Sequence, residues 1–118
     1  MSKFTIQGEL PDMNQIIKVS KSHFMAYSTM KKKNTELVAW SSKGLKSVER
    51  ADFEITHYCK NKRKDPDNIQ GGATKFILDG LVASSVLKND GWKEVGNIKH
   101  IMKVDKDNPR IEVKIIEL

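Results

Sequence analysis

Four cations in five positions, Lys60, Lys62, Arg63 and Lys64, run directly into Asp65, Pro66, Asp67 and Asn68. A basic run attracts phosphate, whereas a carboxylate pair repels it unless a divalent cation lies between them. Mg²⁺ takes oxygen ligands, commonly binds through one or two carboxylates, and keeps waters that a substrate can replace. The juxtaposition therefore points to a metal-dependent reaction on a polyanion, that is, a nuclease. A third carboxylate, Asp90, lies downstream in Leu87-Lys88-Asn89-Asp90-Gly91-Trp92 and completes a candidate ligand set of Asp65, Asp67 and Asp90.

A plainer explanation stands beside this one. Asp65 can cap a helix, Pro66 suits its first position, and Asp67 with Asn68 completes a favourable first turn, all without a metal. Capping, however, needs only one carboxylate, and Asp90 has no part in it. Gly71 and Gly72 in the second turn each cost about 1 kcal/mol relative to alanine. Their presence indicates that a neighbouring element or a DNA backbone comes close there.

The elements that must position these residues follow from periodicity. Ile69, Ala73, Phe76, Ile77, Gly80 and Leu81 recur at helical spacing and mark a helix that Asp65 opens. An alternating stretch from Val48 to Cys59 leads into the basic run as a half-buried strand. Before it, Ser22 to Lys43 reads as a long helix stopped by Gly44, with Lys31, Lys32 and Lys33 too spread around it to follow one phosphate track. Lys3 to Glu9 reads as a first strand, and Pro11 to Asn14 as a turn. After the helix, Val86 to Gly91 reads as a loop and Val95 to Val104 as a strand. Asp105 to Pro109 then forms a hairpin-like loop in which the acids serve turn chemistry, and Arg110 to Leu118 closes the chain as a strand. This order predicts a single α+β domain over residues 1–118, with a mixed β-sheet packed against two main helices.

Composition narrows the function classes. At 118 residues and 38% hydrophobic content the chain has room for one core. A net charge of +6 suits nucleic acid or an anionic surface. The single cysteine, Cys59, excludes an intrachain disulfide and a cysteine-based zinc motif. There is no apolar run of membrane-spanning length and no signal-peptide pattern, so no membrane partner and a cytoplasmic location are expected. His23, His57 and His100 lack metal-ligand spacing and are assigned no chemistry.

The run Lys64-Asp65-Pro66-Asp67-Asn68-Ile69, then Lys75-Phe76-Ile77-Leu78-Asp79-Gly80-Leu81, then Asn89-Asp90-Gly91-Trp92 resembles the RusA family of Holliday junction resolvases, especially its phage-borne branch. The resemblance extends to Leu10-Pro11-Asp12-Met13-Asn14 and to the strand-rich ending, and so covers nearly the whole chain. It implies a small homodimeric endodeoxyribonuclease that uses Mg²⁺, with Mn²⁺ able to substitute. Such an enzyme nicks opposed strands of a four-way DNA junction in recombination and repair, within the bacterial host cytoplasm if phage-encoded. The essential carboxylates carry over to Asp65, Asp67 and Asp90, the asparagine after the second acid to Asn68, and a loop asparagine to Asn14. Two departures stand out. A functional lysine four residues past the second acid is replaced by Gly71, leaving Lys75 one turn further on as the candidate, and the first of the paired late acids is Asn89.

In the mechanism expected from these residues, the three carboxylates hold one or two ions at the scissile phosphate. Lys75 or Lys64 neutralises charge there, while Lys60, Lys62 and Arg63 position the DNA backbone. The alternatives are a non-catalytic basic DNA-binding module whose acids only cap a helix, and an RNA-binding accessory protein, disfavoured because the aromatic residues form no clustered stacking motif.

Overall fold

The computed structural model describes residues 1–118 and has seven elements: β1 (Ser2–Gln7), α1 (Met13–Ser22), α2 (Phe24–Ser41), β2 (Ala51–Cys59), α3 (Pro66–Ala83), β3 (Val95–Val104) and β4 (Arg110–Glu117). The four strands form one mixed sheet in the order β1-β4-β2-β3. β2 alternates buried and half-buried residues along its whole length. That regularity suits an inner strand, and β2 pairs antiparallel with β4 on one side and parallel with β3 on the other.

The core lies between the three helices and one face of the sheet. Phe53 and Ile55 of β2, Phe4 and Ile6 of β1, and Ile111, Val113 and Ile115 of β4 meet Val38 of α2 and Ala73, Phe76, Ile77 and Leu81 of α3. The opposite face carries polar residues such as Thr5, Glu54, Thr56, Glu112 and Lys114, as the period of two in a half-buried sheet requires. The α+β class with a mixed sheet is thus the observed architecture, in one domain.

Three expectations change. Residues 11–14 are not a free-standing turn but the start of α1, where Asp12 accepts from the Gln15 N–H and the Gln15 side chain accepts from the Asp12 N–H, a complete capping box. His23 then breaks α1 from α2, capping the latter through its ring, so a third helix of ten residues joins the two main ones, α2 and α3. Finally, the Asp105–Pro109 loop does not join paired strands. β2 lies between β3 and β4, because α3 returns the chain parallel to β2 at its outer side and β4 must cross to the gap beside β1. Turn chemistry does hold that loop: Asp105 accepts from the Asn108 N–H and from Arg110 at 2.8 Å.

The glycines of α3 answer the question raised by their cost. A Cβ on Gly72 would collide with the Pro11 carbonyl oxygen and lie 2.7 Å from the Asp12 Cα. One on Gly80 would collide with the Val38 side chain. Gly72 is the contact that lets the α3 start dock on the α1 start, and Gly80 brings α2 onto α3.

Candidate metal and nucleic-acid site

α3 opens as its sequence predicts, with Asp65 at the N-cap position in extended conformation and Pro66 in the first turn. The Asp65 carboxylate nevertheless makes no capping hydrogen bond. Asp67, one residue into the helix, accepts only from the neighbouring Asn68 N–H at 2.9 Å. Both acids are exposed, and neither forms a salt bridge although four cations precede them.

The cations of that run divide. Lys64 is turned inward to Asp12, with its ammonium 2.8 Å from the carboxylate. Asp12 is only 4% exposed. Burial alone would raise its pKa, but the Lys64 hydrogen bond, the Gln15 N–H and the Asn68 side chain outweigh this and hold it below the usual carboxylate range. Lys64 is therefore committed to a structural partner. Lys60 lies 3.9 Å from Glu9, a loose exposed pair. Lys62 and Arg63 are exposed without an acidic partner, and the Asn61 side chain shapes their loop by accepting from the Arg63 N–H at 3.0 Å.

Asn14 and Asn68 come together across α1 and α3: the Asn14 N–H donates to Asn68 Oδ1 at 2.9 Å. Asp12, Asn14, Lys64 and Asn68 thus form one network, whose Lys64 and Asn68 immediately flank the Asp65–Asp67 pair in the chain. Lys75 is half-buried and lies two turns along α3 from Asp67, about 12 Å of helix rise.

Asp90 is elsewhere. The parallel register pairs Ala51 with Val95 at one end of β2 and β3, and Cys59 with Val104 at the other. Asp65 follows the Cys59 end, whereas Asp90 precedes the Val95 end, where Arg50 reaches the Trp92 carbonyl and Ala51 donates to Glu94. An 18-residue helix, about 27 Å long, separates them. No three His, Cys, Asp or Glu side chains converge closely enough within the chain to hold a metal ion.

Asp65 and Asp67 fit a hard divalent cation by the chemistry of their donors, two unpaired carboxylates at a positively polarised helix start. Asp90, also exposed, presents the same kind of donor at the far end of the molecule.

Two groups of polar residues were not apparent from spacing. The Asp12 to Gln15 capping pattern was in principle legible, but its ion pair with Lys64 spans the fold. His57, 1% exposed on β2, meets His100 of β3 with Nε2 and Nδ1 2.9 Å apart, and His100 Nε2 lies 3.4 Å from Thr74 Oγ1 on α3. Thr74 donates to the Gln70 carbonyl at 2.7 Å, so the consistent arrangement has His100 donating to Thr74 and His57 donating to His100. His57 Nδ1 is left buried without a partner. Burial, followed by the neighbouring His100, pushes the His57 pKa down to about 4. The pair ties β2, β3 and α3 together as neutral imidazoles.

Cys59 is buried, and burial with the nearby Glu9 pushes its thiol upward, so it stays protonated. No helix is long and apolar enough to cross a membrane. No family model matches the chain, and no curated protein is significantly similar to it.

Proposed function

We propose that this protein is a Mg²⁺-dependent endodeoxyribonuclease that resolves Holliday junctions and related branched DNA by paired nicks, in recombination and repair, acting as a homodimer. One observation carries the reading: the two carboxylates at the start of α3 are spent neither on capping nor on the adjacent cations. In the competing reading, a DNA-binding module with capping acids, Asp65 would be expected to bond the N–H groups it faces.

Asp65 and Asp67 would hold the ion, with Mn²⁺ able to take its place. When bound, the cation supplies a lowered pKa for its water and counter-charge for the phosphate. Lys62 and Arg63 are free to engage the backbone on either side, with Lys60 released readily from Glu9. Lys64 acts one step back, by anchoring the loop to Asp12. Asn14 and Asn68 lock the α1 start to the α3 start, which holds both acids at a fixed distance from the basic loop. Lys75 is the remaining cation on α3 for phosphate charge.

Since Asp90 lies at the opposite end of α3, its participation requires a second copy of the chain. A two-fold dimer would offer two such sites, which suits two nicks in opposed strands.

The test is the Asp67→Asn variant, with its fold checked by circular dichroism. It is expected to bind a labelled four-way junction as the parent does and to lose Mg²⁺-dependent nicking by at least about a hundredfold. Nicking at the parental rate would remove Asp67 from the site.

A further inference from the structure

We infer that the cleft between the first half of α2 and the connection over residues 9–11 docks an acidic peptide segment of a partner protein. Apolar side chains of the peptide seat on Met25 and Met30, and its carboxylates meet Lys33 and Lys60. This goes beyond the nuclease reading and does not depend on it.

The cleft has a volume of about 820 Å³, with Leu10, Met25, Ala26 and Met30 on its apolar side. Met30 packs inward against the core, whereas Met25 is 63% exposed and Phe24, its neighbour in the chain, is 79% exposed. Large apolar side chains gathered at a cleft mark an interaction site, unlike scattered ones. Methionine, flexible and polarizable, moulds itself to apolar groups of differing shape.

The charges give the partner's sign. Three lysines line the cleft against one acid, Glu9. Lys64 is spent on Asp12, but Lys60 lies 3.9 Å from Glu9, loosely enough for an incoming carboxylate to take it over. Lys33, exposed on α2, has no acidic partner at all.

A DNA strand fits this cleft less well. No Phe, Tyr or Trp lines it to stack a base, and the unpaired cations Lys62 and Arg63 lie outside it. The volume suits a few side chains rather than the face of a helix, so the peptide enters extended. Because Lys62 and Arg63 stay open, a docked partner shares only Lys60 with a polyanion held at the basic run.

The test uses the full chain, without DNA or metal, with its methionine methyl groups isotope-labelled and read by NMR. The five methionines report separate places, and Met25→Leu and Met30→Leu identify the two cleft signals. The probe is the end-capped peptide Glu-Asp-Phe-Asp-Leu-Asp. Saturable shifts are expected at Met25 and Met30 and none at Met102, at the far end of β3. Lys33→Glu, exposed and so expected to keep the parental circular dichroism, should weaken binding at least about fivefold. Three results would each overturn the proposal: no shift at the two cleft methyls, the same shift from a peptide whose Phe and Leu are changed to Ser, or an equal shift from oligothymidylate. Unchanged affinity in Lys33→Glu would do so too. None of these readouts involves cleavage, so the docking site and the nuclease reading fail separately.

Discussion

At Asp65 the helix start and the acid are separable. A serine there can still accept a hydrogen bond from the first turn but brings no negative charge. If the carboxylate serves only the helix, Asp65→Ser should leave every property intact. We expect instead that thermal stability moves by less than about 0.5 kcal/mol while Mg²⁺-dependent junction nicking falls to background, with the melting temperature and a nicking assay read on the same preparation. Asp12 teaches the opposite lesson: a carboxylate in an ordinary capping pattern turns out to be buried and to hold Lys64, the last cation before the acids. Which acid is structural and which is free does not follow from type or local spacing, since both stand at helix N-caps. It follows from what the rest of the fold brings within 3 Å.

At the scale of the elements, α3 is the part that placed the site, and it is held from three sides. Gly72 seats it on α1, Gly80 on α2, and Thr74 on the histidine pair of β2 and β3. The histidine contact makes stability pH-dependent. His57 has a folded pKa of about 4 against an ordinary 6.5, so between these values the unfolded chain binds the proton more readily. Stability is therefore complete above about pH 6.5 and declines as pH falls toward 4, by about 3 kcal/mol from this group. Urea unfolding measured from pH 7 to 4 should show that decline, and in His57→Leu the slope across this interval should flatten even if the overall stability is lower. An unchanged slope would mean that other groups govern the acid limb. Periodicity made α3 legible nearly to the residue, because a strong buried face and a Pro-led start agree. α1 was missed although Met13, Ile16 and Ile17 stand at helical spacing, because Pro11–Asn14 reads equally as a turn and a helix of ten residues is too short for its period to override that signal.

At the scale of the molecule, the opposed placement of Asp90 and the Asp65–Asp67 pair is the governing fact. If each site draws on two chains, Asp67→Asn and Asp90→Asn proteins should each be inactive alone, yet a mixture of the two should nick. A heterodimer would contain one site with all three acids and one with neither Asp67 nor Asp90. Recovery of single nicks on a labelled junction is the expected result, and a mixture as inert as its components would mean that the three acids do not share a site.

What the sequence determined by itself was local. The helix over Pro66–Ala83, the strands over Val95–Val104 and Arg110–Glu117, the α+β class and the exposed acids beside a basic run all follow from periodicity, proline and charge, which act over a few residues. The tertiary structure decided the strand order, the burial of Asp12 with Lys64, the pairing of His57 with His100 across 43 positions, and the distance of Asp90 from its expected companions. Those depend on the parallel crossover through α3, which sends the chain back along the full length of the sheet. Local side-chain preferences carry no record of that return, because it is fixed by which surfaces bury one another.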